Sequence, residues 1–305
     1  MTAAEVATPV LHRRGRIWQR QLEPVLYIAP AFIVLIVILI YPLGYSFWLS
    51  FHRWTLRDFA QGVPWVGLQN YVTLFSNPDF LNSLRVTFTF VISAVSIEFI
   101  LGMGLALLLK RNLVGKGAIR SMILLPMMCT NVVIGLTWRL LFNYQFGIIN
   151  FYLTQLQLAP VEWLSAPNLG MVAVVIVDVW NTTSFVALML LAGLQSLPDE
   201  PFEAARIDGA SGLQAFWYIT VPLLRQTILV ALLWRLIDTF RIFDVIWLLT
   251  AGGPAHATET VSIYVYNYGF RSFNLGYASA ASYVMIVIML IIAAFLARNI
   301  GRSLE

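Results

Sequence analysis

Four ionisable side chains recur at steps of three residues within one apolar stretch. They are Arg235, Asp238, Arg241 and Asp244. A charge at the centre of a membrane helix costs about 2.5 to 3.5 kcal/mol on insertion scales, so their face is not expected to contact lipid. Residues three apart on a helix are neighbours, and the alternating signs predict a self-neutralised ladder of ion pairs. The alternative is a wet cavity, where carboxylate and guanidinium groups suit sugar hydroxyls.

A second polar face precedes this stretch. Its residues are Asp178, Asn181, Thr182 and Phe185. Intervals of three, four and seven residues place them on one side of a helix. A carboxylate, an amide and a hydroxyl beside an aromatic ring suit a pyranose, which has equatorial hydroxyls and an apolar C–H face. Polar contacts between helices, common in membrane bundles, are the alternative, and the sequence leaves both open.

Other chemistry has little support in the sequence. The one cysteine, Cys129, excludes an intramolecular disulfide, and the histidines His12, His52 and His256 are far apart, so no metal site is predicted. The nearest match to a phosphate loop, at 115–117, lacks the upstream Gly and the following Ser or Thr. No nucleophile cluster indicates an enzyme, and a net charge of +4 is too small to indicate nucleic-acid binding.

Long apolar segments must position these polar faces. The chain is 59% hydrophobic and 11% charged, whereas soluble domains are typically about a quarter charged, so lipid is its main solvent. About 20 helical residues cross the hydrocarbon core. One transmembrane domain is predicted at 25–300, with six spans at about 25–51, 83–109, 119–142, 169–194, 222–249 and 278–297. The first run is too long for a cleaved signal peptide and is predicted to remain as a span.

The positive charges predict the orientation. With the N-terminus inside, the cytoplasmic Lys and Arg residues are Arg13, Arg14, Arg16, Arg20, Lys110, Arg111, Lys116, Arg120, Arg206, Arg225, Arg298 and Arg302. Those outside are Arg53, Arg57, Arg85 and Arg271. The excess predicts a cytoplasmic tail at 1–24, a cytoplasmic loop at 196–222 and a cytoplasmic C-terminus at 301–305.

The loop at 196–222 has helix signals at both ends. Ser196 is expected to cap a first helix, with Pro198 in its first turn, and Gly209 to end it. The loop is then expected to continue as a second helix.

The second helix has its own signals. Ser211, followed three residues later by Gln214, indicates a capping box, and Pro222 is expected to end the helix. The pattern predicts a bent pair of helices around Gly209. An amphipathic segment lying on the membrane surface is the alternative.

Small residues make the first of these helices suitable for close contact. Ala204 and Ala205 allow another protein to approach the backbone, while Glu203 and Asp208 supply charges that fix the register. The pair of helices is therefore a candidate docking segment.

The order of residues in this loop resembles the signature of one family, the inner-membrane permease subunits of binding-protein-dependent ABC importers. That signature reads Glu-Ala-Ala, three residues, Gly, nine residues, Ile, any residue, Leu, Pro. The matching positions are Glu203, Ala204, Ala205, Gly209, Ile219 and Pro222. Only Val221 departs from it. Stretches at 65–71, 124–126 and 248–254 are similar to the carbohydrate branch of the family.

The resemblance implies an all-α integral membrane protein with six transmembrane helices and the type I, MetI-like permease fold. It implies a non-catalytic subunit of an importer for a di- or oligosaccharide such as trehalose or maltose, in a bacterial inner membrane. The implied partners are a second homologous permease in a heterodimer, two cytoplasmic ATPases and an extracytoplasmic sugar-binding protein. ATP and Mg would be used by the ATPases, with no cofactor bound by this chain.

The resemblance also assigns residues. Contact with the ATPase is assigned to Glu203, Ala204, Ala205, Asp208 and Gly209. The substrate path is assigned to Met127, Asn131, Asp178, Asn181, Thr182, Phe185, Asp238, Thr239 and Ile242. The residues that either line this path or form structural ion pairs are Arg235, Arg241 and Asp244. The family mostly has Phe and Asn in span five, so these charges leave the substrate open. Glu98 and Arg139, alone in their spans, are expected to be structural.

Two other transport functions stay open. Arg235 and Arg241 would suit a glycerol-phosphate importer of the same family. An ion-coupled secondary transporter would use the intramembrane Asp residues as proton or sodium sites, but no inverted repeat is found in the hydropathy pattern.

Overall fold

The computed structural model describes residues 27–56, 62–111 and 114–301. The predicted tail at 1–24 and Arg57 lie outside these ranges, as does almost all of the predicted C-terminus at 301–305. The described chain is built from helices and connecting loops.

Thirteen helices organise the described part of the chain. They are α1 Tyr27–Ser50, α2 Gln69–Ser76, α3 Pro78–Lys110, α4 Lys116–Met128, α5 Asn131–Leu141, α6 Ile148–Gln155, α7 Pro167–Gln195, α8 Glu200–Ile207, α9 Gly212–Leu223, α10 Arg225–Phe240, α11 Asp244–Thr250, α12 Val261–Tyr266 and α13 Leu275–Gly301. A π-helical turn, Asn267–Arg271, continues α12.

Four of these helices are long and apolar enough to cross a membrane, namely α1, α3, α7 and α13. Two bent pairs also pass this test, α4 with α5 at 96° and α9 with α10 at 68°, which gives up to six spans if each pair is one span. Large apolar side chains remain exposed along α1, and no residue in its most apolar stretch is buried. Lipid or a partner subunit must cover such a surface.

The predicted third span is broken. The run expected at 119–142 contains α4 and α5, which are separated by Cys129 and Thr130 in extended conformation. Pro126 lies in the last turn of α4, where its missing N–H removes a backbone hydrogen bond. The apolar run therefore continues across Cys129 and Thr130, where the chain bends by 96°.

The predicted fifth span is also interrupted. The run expected at 222–249 contains α10, which ends at Phe240, and α11, which begins at Asp244. Pro222 lies inside α9, so it does not end the second loop helix as predicted. A π-helical turn at 216–220 precedes Pro222, and the 68° bend between α9 and α10 lies at Leu224.

Helices α3 and α7 approach each other closely at Gly102. A Cβ atom placed on Gly102 would lie 2.8 Å from Val186 Cγ1 and 3.2 Å from the backbone nitrogen of Ala187. Small residues allow membrane helices to pack at this distance. This contact holds together the two helices that carry Glu98 and Asp178.

Replacing Gly102 with leucine is expected to separate α3 from α7 and to destabilise the protein by about 1 to 3 kcal/mol. Gly104 is the matched control, because an added Cβ there meets no atom within 4 Å. Gly104→Leu should change stability by no more than about 0.5 kcal/mol. The melting temperature of the purified protein measures both variants, and equal values would contradict the packing described.

Candidate functional site

Three membrane helices bring a buried ion cluster together. Arg235 of α10 donates from Nε to Oε2 of Glu98 of α3 at 2.7 Å and from Nη2 to Oε1 of the same carboxylate at 2.8 Å. Its Nη2 also donates to Oδ2 of Asp178 of α7 at 3.1 Å. The Glu98, Asp178 and Arg235 side chains are 0%, 3% and 2% exposed. The guanidinium therefore joins three helices away from solvent.

The cluster continues to a more open surface through Asp238. One carboxylate oxygen of Asp238 accepts from Nη1 of Arg235 at 2.9 Å, and the other accepts from Nη2 of Arg241 at 3.2 Å. The Asp238 and Arg241 side chains are 41% and 69% exposed. The first three charges of the ladder thus form the ion pairs that their spacing indicates.

Asp244 does not join this ladder. Regular helix ends at Phe240, so the three-residue register is lost before Asp244, which instead begins α11. Among the described residues Asp244 forms no ion pair. The inclusion of Asp244 in a self-neutralised ladder is therefore wrong, because the ladder requires a continuous helix.

The polar face of α7 points partly into the same cluster. Thr182 Oγ1 lies 2.7 Å from Oε1 of Glu98 and 2.7 Å from the carbonyl oxygen of Asp178, and its single hydroxyl hydrogen donates to one or the other. Thr239 is also buried, and its hydroxyl donates to the backbone oxygen of Arg235 at 2.7 Å. Asp178, Thr182 and Thr239 therefore make contacts within and between helices.

Asn181 and Phe185 have different surroundings. The Asn181 Oδ1 atom is buried and has no hydrogen-bond partner among the described residues. The Phe185 ring lies 6.1 Å from that of Trp234 on α10. An unpaired buried amide oxygen costs free energy, so Asn181 is the member of this face that most needs a ligand or water.

The remaining predicted path residues lie at breaks in the helices. Met127 and Asn131 flank the break between α4 and α5 and are exposed, and Ile242 lies in the break after α10. Within the described part of the chain, none of the three side chains bonds to the ion cluster. The assignment of these residues to a substrate path stays a prediction.

Glu98, expected to be structural, lies at the centre of the ion cluster, with a partner whose identity the sequence did not indicate. It lies alone in the apolar run of α3, yet its partner Arg235 is 137 residues away in sequence. The position of Glu98 within an apolar span did indicate that it has a partner, because a carboxylate there requires a cation or a proton. Arg139, the other residue expected to be structural, donates to the backbone oxygen of Leu248 at 3.3 Å.

The segment at 196–222 forms the second candidate site. Its first helix, α8, begins at Glu200, with Pro201 in the first turn, so the predicted start at Ser196 and Pro198 is wrong. The Ser196 hydroxyl instead donates to the Gly193 carbonyl at 2.8 Å at the end of α7. A short connection at 196–199 therefore separates the end of α7 from the start of α8, so α8 begins four residues after the predicted capping residue.

Gly209 ends α8 as predicted. Its φ of 75° is left-handed, and the following Ala210 N–H donates to the Ala205 carbonyl at 2.9 Å. The left-handed Gly209 thus allows the Ala205 carbonyl at the helix end to accept a hydrogen bond, without the strain that a Cβ atom would add.

The capping box of α9 is confirmed. Ser211 Oγ accepts from the Gln214 N–H at 3.3 Å, and Gln214 Oε1 accepts from the Ser211 N–H at 2.8 Å. Reciprocal bonds of this kind satisfy two backbone donors at the start of a helix.

The segment lies at the same end of the molecule as the last turns of α3 and α7. Lys110 Nζ at the end of α3 lies 5.0 Å from the centre of the Phe202 ring of α8. Both residues line a cleft of about 740 Å³, with Leu107, Leu194 and Leu213 also in its walls. Glu203 and Asp208 are exposed, and Ile207 is 87% exposed. A surface with exposed charges beside exposed apolar groups is suited to a protein partner.

A helical membrane body with a helix–Gly–helix segment at one end defines the class of MetI-like transport permeases. The family model for the binding-protein-dependent transport system inner membrane component matches residues 98–305. The chain belongs to this family and is a multi-pass membrane protein.

Known proteins resemble nearly the whole chain. A trehalose/maltose transport system permease protein of Thermococcus litoralis is 41% identical over 88% of this chain and 90% of its own length. An sn-glycerol-3-phosphate transport system permease protein of Agrobacterium fabrum is 35% identical over 95% of this chain and 98% of its own. The crystal structure of a bacterial ABC transporter for import of the acidic polysaccharide alginate contains a chain with a TM-score of 0.80 and 25% identity, over 94% of this chain and 99% of that one.

Proposed function

We propose that this chain is the membrane-spanning permease subunit of an ATP-driven importer for a neutral di- or oligosaccharide such as trehalose or maltose. The observation that carries the proposal is the family signature at 203–222, which forms an exposed helix–Gly–helix segment joined to the end of α3. The carbohydrate branch is supported by the 41% identity to a trehalose/maltose permease.

The proposal includes the partners of the assembly. A second homologous permease completes the path as a heterodimer, and an extracytoplasmic sugar-binding protein delivers the substrate. Two cytoplasmic ATPases use ATP and Mg, so this chain is not an enzyme and binds no cofactor. Both termini and the Glu203 segment face the cytoplasm of a bacterial cell, as the positive charges predict.

The proposed mechanism transmits ATPase movement through the segment. Closure of the ATPase dimer displaces α8, and the displacement reaches the end of α3 through Lys110 and Phe202. The spans then turn a midplane cavity from the inside to the outside. The ATPase must contact α8 differently in its two states, because an equal contact shifts no equilibrium.

The charges of the cluster favour a neutral substrate over a glycerol phosphate. Arg235 already donates to Glu98, Asp178 and Asp238, and Arg241 is paired with Asp238. With every group ionised, three carboxylates face two guanidiniums, which gives a small negative excess. A phosphate needs free cationic donors, whereas the donors of Arg235 are occupied and the charge of Arg241 is paired with Asp238.

Uptake by the reconstituted assembly tests the proposal. Proteoliposomes with both permeases and the ATPases, supplied with the binding protein and ATP, should accumulate labelled trehalose or maltose in preference to glycerol 3-phosphate. Uptake driven by a proton or sodium gradient without ATPase would contradict the proposal in favour of a secondary transporter.

Substitution of Gly209 tests the turn of the segment. Gly209→Val places a β-branched residue at a left-handed φ of 75°, a strain of about 1 to 2 kcal/mol. Because this strain favours a different conformation of the turn, uptake and sugar-stimulated ATP hydrolysis should fall by about five- to thirtyfold. Membrane insertion should be unchanged.

Two variants make this test specific. Gly209→Asn should retain most activity because Asn tolerates the left-handed region. Gly212→Val is the matched control, because an added Cβ at Gly212 also meets no atom within 4 Å but its φ is not left-handed. Full uptake by Gly209→Val would remove the role assigned to the turn.

A further inference from the structure

A polar cavity of about 380 Å³ lies away from the ion cluster, between the loop after α5 and the end of α11. Its walls include Arg139, Glu162, Trp163 and Trp247. In the predicted orientation, α5 ends and α7 begins on the extracytoplasmic side, so the cavity opens there. Its volume falls within the range of about 300 to 1,000 Å³ that small-molecule sites occupy.

The cavity holds polar groups with unused hydrogen-bonding capacity. Arg139 donates one bond, to the Leu248 carbonyl, and its other N–H groups donate to no described residue. Glu162 accepts from the Ser165 hydroxyl at 3.2 Å through Oε2, which leaves Oε1 without a donor among the described residues. A guanidinium and a carboxylate in the cavity lining supply both donors and acceptors, as hydroxyl groups require.

Two fixed indole rings supply the apolar part of the walls. Trp163 Nε1 donates to Asn150 Oδ1 at 3.2 Å, and its ring lies 5.4 Å from that of Phe142. The Trp247 ring stacks on Phe243 at 5.6 Å and lies 5.7 Å from the Arg271 guanidinium. Rings held in this way lose little entropy on binding a ligand.

The cavity residue Arg139 lies on the same face of α5 as Asn131, a residue predicted to line the substrate path. Asn131, Gly135 and Arg139 follow one another at steps of four residues, and eight residues of helix rise about 12 Å. At Gly135 an added Cβ would lie 2.8 Å from Leu248 Cβ, so α5 and α11 touch there. The cavity is therefore separated from Asn131 by a close helix contact.

We propose that this cavity is an outer saccharide subsite that binds one neutral pyranose ring before the ring passes to the membrane midplane. Arg139 and Glu162 bind ring hydroxyls, and Trp163 and Trp247 pack against the C–H faces. The opposite charges of Arg139 and Glu162 cancel, so a neutral ring fits better than an acidic one. The subsite rests on the proposed function, since it serves an imported carbohydrate.

Protection of an introduced cysteine tests the subsite. In a Cys129→Ser background, Ser165→Cys places a thiol at the cavity wall. The assembled transporter in proteoliposomes is treated from the extracytoplasmic side with a membrane-impermeant maleimide, with and without trehalose, maltose or maltotetraose and without the binding protein. At least one sugar should slow labelling saturably, reaching about tenfold at a concentration ten times its Kd.

Matched variants separate the subsite from general effects. Arg139→Gln should raise the half-protecting sugar concentration about tenfold, because charge-assisted bonds to ring hydroxyls are lost. Gln155→Cys, exposed at the end of α6 and outside the cavity, should be labelled at the same rate with and without sugar.

The outcomes distinguish this inference from the proposed function. Sugar uptake without protection of Ser165→Cys by any of the three sugars would overturn the subsite and leave the importer function standing. Protection without ATP-driven sugar uptake would support saccharide binding at the cavity but contradict both the importer function and the passage of the bound ring to the midplane. Labelling only from the cytoplasmic side would also overturn the subsite.

Discussion

Arg235→Met is expected to prevent this chain from being recovered as a stable, folded protein. The substitution leaves the carboxylates of Glu98 and Asp178 buried without their cation, and breaking a buried pair in this way costs about 3 to 5 kcal/mol. A loss of this size is a large part of the stability of a typical domain. The melting temperature and the monodisperse fraction in size-exclusion chromatography measure the effect.

Matched variants show whether the effect comes from the buried charge. Arg241→Met removes a guanidinium that is 69% exposed, so it should cost no more than about 1 kcal/mol. Combining Arg235→Met with Glu98→Gln and Asp178→Asn removes the uncompensated charges and should restore much of the lost stability. If Arg235→Met alone were as stable as the parent protein, the cluster would not hold α3, α7 and α10 together.

Reversal of two charges in the segment at 196–222 is expected to abolish transport without preventing membrane insertion. Glu203→Arg combined with Asp208→Arg changes side chains that are exposed, so the fold of this chain should be retained. A like-charge contact at a protein interface costs several kcal/mol, and uptake should fall by at least about tenfold. Uptake and sugar-stimulated ATP hydrolysis in proteoliposomes measure the loss.

The control for this variant lies in the same helix. Glu200→Arg reverses an exposed charge in the first turn of α8, at a position outside the family signature. It should reduce uptake much less than the double reversal. Normal uptake by the Glu203→Arg and Asp208→Arg protein would show that these charges do not fix the register of the ATPase.

Local signals were predicted well from the sequence. The capping box of Ser211 and Gln214 and the turn at Gly209 depend on residues within a few positions of one another. The start of α8 was misplaced because Ser196 and Pro198 carry the same signals as Asp199 and Pro201, and only the path of the chain decides between them.

Features that depend on distant parts of the chain were not predicted. Hydropathy indicates that a run is apolar, but it does not show the changes of direction at Cys129 and Leu224 or the end of regular helix at Phe240. The pairing of Glu98 with Arg235 joins residues 137 positions apart, and no periodic pattern connects them. Asp178, predicted to line the substrate path, is buried in that pairing, which needs three helices to form.

Cross-linking from Ala204→Cys in a Cys129→Ser background tests whether a cytoplasmic ATPase binds α8 of this permease. The experiment uses inside-out membrane vesicles that contain the whole transporter. We expect a cross-linked product with the ATPase subunit, whose yield changes on addition of ATP. A thiol that reacts only from the extracytoplasmic face, or one that never cross-links to a nucleotide-hydrolysing subunit, would contradict it.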